Sequence, residues 1–449
     1  MGLGLVNDLY ELTMAASYLR RGMVQFATFS LFARRLPPSR GFLVAAGLDD
    51  VLRLLPQVAF DDADLAWLGG HGFDDATLEA FREVRFTGDV WAVPEGHVVF
   101  PDEPLIEVTA PLPEAQLIET LVLNQITYQT ALATKAARCR LAAGGRAALI
   151  DFSLRRTHGV EAGMAAARAA AIAGFDGTSN VEAARRLGMR AVGTMAHSYI
   201  EAFPSEREAF VAFAEDFPDR TTFLVDTFDT LTGVETAVDV AQALDLQGRI
   251  GVRLDSGDLL ALSKQARLVL DAAGRQDVTI VASGGLDEFD VQQLLDDGAP
   301  IDTFGLGTKI GVSADAPSLD TAYKLVEYAG RPVMKLSPGK ETLPGPKQVY
   351  RADMEDGDVL ATRTEPPPPG YSPLLTQVMR SGERSAPPEP VSVVADRLST
   401  DLAGLPAGSL GLRTPTTVAV RVSARLEALT CHVQEAHRPA GPVPGPGDR

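Results

Sequence analysis

Residues 253–258 read Arg-Leu-Asp-Ser-Gly-Asp and follow the run RIGV. The run predicts a strand that brings Arg253 and Asp255 to its end on one side, because side chains two apart share a strand face. An Arg beside an Asp at a strand mouth can hold an anion and order a hydroxyl or a hydrated Mg2+. The plainer reading is a local ion pair plus a helix cap by Asp258, and it accounts for Asp258 well. A second segment, Gly193-Thr194-Met195-Ala196-His197-Ser198-Tyr199, sets a histidine among small polar residues past the strand-like AVGTM. A lone histidine is more often structural or merely exposed. A neutral imidazole can nonetheless act as a nucleophile toward phosphoryl groups near neutral pH. His158 is its rival, with poorer company.

Two glycine-bearing segments offer anion chemistry. Ser283-Gly284-Gly285 follows VTIVA and opens a helix that Asp287 can cap, and Gly305-Leu306-Gly307-Thr308 follows the next apolar run. Glycines there let backbone N–H groups close on phosphate oxygens, and a helix start adds partial positive charge. Either segment alone reads equally as a tight βα turn; two in adjacent loops favour a phosphate site. Phe152 to His158 adds Arg155 and Arg156 after the run ALID. A guanidinium pair there suits pyrophosphate, or is a solvated basic turn. No Walker A segment, dinucleotide-binding glycine fingerprint or nucleophile elbow occurs.

The elements that must position these residues follow from periodicity. Between about 147 and 310, ALIDF, AVGTM, TFLVDT, IGVRLD, VTIVAS and IDTFGLG alternate with helical stretches, which predicts a parallel sheet with its site at the strands' C-terminal edge. Ser205 with Glu208, and Thr232 with Glu235, have capping-box spacing. A long helix is predicted over Pro113–Ala143, with Cys139 as a buried hydrophobe. The length of 449 residues exceeds what one core usually serves. The expected units are residues 1–112, 113–330 and 331–432, the last packing on the first, then a disordered Pro-rich tail over 433–449. A net charge of −18 argues against a nucleic-acid partner, though a few focused Arg can still hold a small anion. The two cysteines, far apart, support no disulfide framework and suggest a reducing, cytoplasmic setting. No apolar run reaches membrane-spanning length. No Cys/His cluster has zinc-ligand spacing, and the metal ligands stay unassigned.

Taken in order, NDLYELTMA (7–15), FTGDVWAVPEGHVVFPDEPLIEV (86–108), DFSLRR (151–156), GFDGTSN (174–180), GTMAHSY (193–199), RLDSGD (253–258), SGGLDE (283–288) and GLGTK (305–309) resemble the nicotinate phosphoribosyltransferase family. The resemblance covers about residues 5–330 and fades beyond about 360. It implies an α/β fold: an irregular α/β barrel of the type II phosphoribosyltransferase kind, with an N-terminal α/β domain completed by C-terminal segments. It further implies a homodimer with shared sites that joins nicotinate to phosphoribosyl pyrophosphate, with Mg2+ and ATP as co-substrate. Tyr10 would then reach the partner's site and stack on the pyridine ring, with Phe152 on the other face. Thr194 and Arg253 would contact nicotinate, and Arg155, His197 and Asp255 would surround pyrophosphate and ribose. Ser283, Gly284, Gly285, Gly307 and Thr308 would hold the 5′-phosphate. His197 matches the family's phosphorylated histidine. The nicotinamide-using relative has an Asp where this chain has Ser179, and an Asp would repel a carboxylate. Ser179 with Arg253 therefore favours nicotinate. The competing readings are a nicotinamide or quinolinate enzyme, or a phosphate-binding barrel aldolase or isomerase. The last would need a reactive lysine, for which Lys309 is the one attractive candidate.

Overall fold

The structure, a computed structural model, describes residues 2–246 and 250–437. Five of its parallel strands form where the apolar runs predict them: Ala148–Asp151, Thr222–Leu224, Gly251–Leu254, Thr279–Ala282 and Thr303–Leu306; the sixth is Gly177–Thr178. The last strand lies beside the first, with Phe304 opposite Leu149, so the sheet curls into a barrel. Among the described residues no ladder joins Gly177–Thr178 to Thr222–Leu224, which leaves the barrel open on one side and irregular. Leu149, Phe223, Val252, Ile280 and Phe304 are buried together with Phe210, Val234, Leu270 and Val291 of the surrounding helices. Each contributes roughly 1.5–3 kcal/mol by leaving water.

AVGTM is not a strand. It makes only one bridge, Ala191 beside Thr178, and Gly177–Thr178 takes the sixth place instead. A parallel strand must be covered on both faces, whereas Ala191 and Gly193 are exposed. The helix starts follow local chemistry more closely. Ser205 and Asp287 accept backbone N–H groups of the helices Glu206–Asp216 and Glu288–Asp296, and Asp258 caps Leu259–Ala272. Thr232 does not cap. Its N–H and hydroxyl bond Asp229, at 3.0 and 2.7 Å, because the carboxylate is the stronger acceptor and starts the helix three residues earlier.

The predicted long helix breaks at Ile118 into Leu112–Leu117 and Glu119–Ala143. Cys139 is buried within it, and burial pushes its thiol well up, as befits an inert packing residue. The N-terminal sheet has seven antiparallel strands, in the order Arg331–Pro332, Thr321–Tyr328, Phe26–Ala33, Pro104–Pro111, Asp89–Ala92, Thr376–Arg380 and Glu383–Arg384. The strand Thr321–Tyr328, which the sequence reading leaves in the barrel unit, thus pairs with Phe26–Ala33. A further sheet carries Lys347–Arg351 and Asp358–Thr362, and the helix Ala424–Ala436 extends into the stretch read as a tail. Residues 438–449 of that tail lie outside the described residues. Among the described residues no helix is long and apolar enough to cross a membrane.

Where the units meet, the long helix points Lys135 and Arg138 at Glu288, at 2.5 and 2.9 Å. Lys135 also reaches Asp315, which Arg40 of the N-terminal unit grips at 2.9 Å. All five side chains are nearly or wholly buried, so each charge depends on its neighbours.

Candidate active site

The strand ends converge on Arg253, which is only 8% exposed. Its Nε donates to Ser283 Oγ at 2.8 Å, and Nη1 to Thr194 Oγ1 at 3.1 Å and to the Met195 carbonyl at 3.3 Å. Nη2 donates to Asp255 Oδ1 at 2.6 Å. The guanidinium carbon stands 5.6 Å from the centroid of the Phe152 ring. One side chain thereby joins residues from four separate segments. Burial works to raise the Asp255 carboxyl, but bonds from the Ser283 hydroxyl and the Arg253 guanidinium more than offset it, and the group is held below its ordinary range. Asp255 is therefore an anion at neutral pH. Its Oδ2 is 3.9 Å from His197 Nε2, and His197 Nδ1 is 3.2 Å from Thr227 Oγ1. His197 opens the short helix His197–Glu201 and remains part-exposed.

The aromatic side of the site depends on a missing methyl group. A Cβ on Gly305 would lie 2.4 Å from the Phe152 ring, so the ring rests directly on that glycine. We expect Gly305→Ala to tilt Phe152 and raise the KM for an aromatic substrate by about tenfold, with the KM for its phosphate-bearing partner nearly unchanged. Steady-state kinetics checks this; equal shifts in both constants would mean general damage instead. On the phosphate side, Gly284 and Gly285 have φ of 109° and 77°, and a Cβ on Gly284 would lie 2.3 Å from the Asp255 carbonyl oxygen. Only glycine reaches that conformation without strain. A Cβ on Gly307 would meet the Phe152 carbonyl oxygen at 2.8 Å. Gly284, Gly285 and Thr308 are exposed at the mouth, with Gly307 partly so.

Two family models match: the nicotinate phosphoribosyltransferase N-terminal domain over residues 5–127, and the nicotinate phosphoribosyltransferase family over residues 147–349. The chain belongs to the nicotinate phosphoribosyltransferase family. It is 49% identical over 385 residues to a nicotinate phosphoribosyltransferase of Mycobacterium tuberculosis, covering 85% of this chain and 82% of the relative. Against that of Bacillus subtilis the identity is 45% over 378 residues, covering 81% and 77%. The crystal structure of human nicotinic acid phosphoribosyltransferase superposes with a TM-score of 0.84 at 30% identity, covering 95% of this chain and 99% of that one.

In this member of the nicotinate phosphoribosyltransferase family, the geometry gathers most of the expected residues. Phe152, Thr194, His197, Arg253, Asp255 and Ser283 are linked by the contacts above. Ser179 follows strand Gly177–Thr178 and donates its N–H to the Asp151 carbonyl at 2.8 Å, fixing the loop beside Phe152. Arg155 is exposed in the turn Leu154–Arg156 and has no ion pair among the described residues. Tyr10 stands apart. It is 45% exposed on the helix Leu9–Arg20 and, among the described residues, makes no hydrogen bond or ring contact with the barrel mouth. Asp226 was missed by the sequence reading. Its Oδ2 accepts the Asp255 N–H at 3.0 Å and the Ser256 hydroxyl at 2.6 Å, while its buried Oδ1 has no hydrogen-bond partner among the described residues. The signal was available, since Asp226 ends TFLVD as Asp255 ends RIGVRLD. Lys309 does not suit a Schiff base. Burial works to lower its ammonium, but hydrogen bonds to Asp290 and Asp287 raise it instead, so it stays protonated.

Proposed function

We propose that this chain forms nicotinate mononucleotide and pyrophosphate from nicotinate and phosphoribosyl pyrophosphate, an entry step to NAD. The observation that carries this is Arg253: a guanidinium nearly closed to solvent, set beside an aromatic ring at a mouth rimmed by glycine loops. An aromatic carboxylate satisfies both the charge and the face. Its ring nitrogen attacks ribose C1 as the C1–O bond to pyrophosphate breaks and the leaving group takes the electron pair. The transition state carries oxocarbenium character, so positioning and charge stabilisation dominate over proton transfer.

Phe152 would support one face of the pyridine ring and Tyr10 of the partner subunit the other, in a homodimer. Arg155 would face pyrophosphate. Asp226 Oδ1, buried and unsatisfied, together with Asp255 suits a hydrated Mg2+ brought in with the leaving group. Among the described residues no three carboxylate, His or Cys side chains form a protein-only cage. Bound there, Mg2+ would neutralise pyrophosphate. His197, held by Thr227 and faced by Asp255, would accept a phosphoryl group from ATP, coupling hydrolysis to synthesis.

The test mixes protein, phosphoribosyl pyrophosphate and Mg2+ with nicotinate or nicotinamide, with and without ATP. The expected result is mononucleotide from nicotinate alone, more of it with ATP, and one pyrophosphate per product. Product from nicotinamide alone would overturn the choice of base, and no product from either would overturn the activity.

A further inference from the structure

The two glycine loops are carried on neighbouring strands. Thr279–Ala282 and Thr303–Leu306 pair through Val281 with Thr303 and Ala282 with Phe304, and Asp302 and Ile280 bond each other at the strands' start, so these ties lie below the loops. Beyond the strand ends both loops project to the mouth, and Lys309 spans the gap between them. It stands one residue past Gly307-Thr308, in the turn Thr308–Gly311. Its Nζ lies 3.1 Å from Asp287 Oδ2 and 2.8 Å from Asp290 Oδ2. Those two aspartates form the capping box of Glu288–Asp296, the helix opened by Ser283-Gly284-Gly285. Next along, Glu288 is fixed from beneath by Lys135 and Arg138. The first loop is thus anchored to the long helix, and Lys309 is the ionic link from it to the second.

We propose that Lys309 is a positioning residue for the 5′-phosphate: its ammonium sets the separation of the two glycine loops and cancels the charge of Asp287 and Asp290 beside them. Without it, Asp290 would lose its ammonium partner and Asp287 would keep only the field of Lys135, so more negative charge would face an incoming dianion, and the second loop would lose its ionic tie to the first. The inference rests on the reading that these loops take the phosphate.

The test uses Lys309→Met, which keeps the stem and removes the charge, and Lys309→Arg, which restores it. For Lys309→Met the KM for phosphoribosyl pyrophosphate should rise about tenfold, with the KM for nicotinate within about twofold of the parent. Lys309→Arg should recover most of the loss, and adding Asp290→Asn to Lys309→Met should recover part of it by removing repulsion. A purely structural role would shift both KM values together and leave Asp290→Asn without benefit, which would overturn the proposal. Gly307→Val separates the underlying reading. If it leaves the KM for phosphoribosyl pyrophosphate unchanged, the phosphate lies elsewhere and the reading fails. If it raises that KM while Lys309→Met does not, only the role of Lys309 fails.

Discussion

Replacing Arg253 with Met should lower kcat/KM for nicotinate by about a thousandfold or more. The guanidinium makes four hydrogen bonds, to Ser283, Thr194, the Met195 carbonyl and Asp255, and an aliphatic side chain can make none of them. Three losses coincide. On the proposed reading the substrate carboxylate loses its counter-charge; Thr194 and Ser283 lose the group that orients them, and Asp255 loses one of the partners that hold it ionised. Arg253→Lys should recover little, because one ammonium cannot serve acceptors spread around a planar fork. Kinetics with each substrate varied, beside thermal unfolding, separates catalysis from stability. Activity of Arg253→Met within tenfold of the parent would remove Arg253 from the centre of the site.

His197→Ala should uncouple ATP from synthesis. The variant is expected to hydrolyse ATP at less than about 1% of the parent rate while still making mononucleotide slowly, since the bond-forming step calls on no imidazole. The ATP-dependent gain in mononucleotide should therefore vanish. Thr227→Val, which removes only the 3.2 Å contact to Nδ1, should keep part of both rates. Acid-labile label transferred from γ-labelled ATP to the parent, and absent from His197→Ala, gives the direct readout. An alanine variant still stimulated by ATP would show that the phosphoryl acceptor is another group.

What could be read from sequence, and what could not, divides along local and non-local physics. Asp258 and Asp287 were legible as caps because a cap needs only its own next three residues. Arg253 and Asp255 were legible as a pair because strand periodicity puts them on one side. Thr232 misled, since its spacing to Glu235 was right but Asp229 starts the helix three residues earlier, which puts Thr232 inside the first turn as a donor to that carboxylate. AVGTM misled because apolar composition does not say whether a partner strand has room. Asp226 closes an apolar run as Asp255 does, yet its importance comes from the Asp255 N–H just past the adjacent strand, 29 residues away. The grip of Gly305 on Phe152 joins two strands that only barrel closure makes neighbours. The place of Thr321–Tyr328 is set by the open edge of Phe26–Ala33, not by any signal within its own residues.

That placement has a consequence for how the protein is made. A ribosome releases Phe26–Ala33 and Pro104–Pro111 early, but the strand that covers the other side of Phe26–Ala33 emerges only after every barrel strand. During that interval the nascent sheet carries an uncovered row of backbone donors and acceptors, the kind of edge that recruits strands from other chains. The barrel strands, by contrast, all lie within residues 148–306, so the sheet can close, Thr303–Leu306 against Ala148–Asp151, before Thr321 is made. The first unit to be synthesised is therefore the last to be finished, and a chain stalled before Thr321 presents a folded barrel tethered to an adhesive, incomplete sheet.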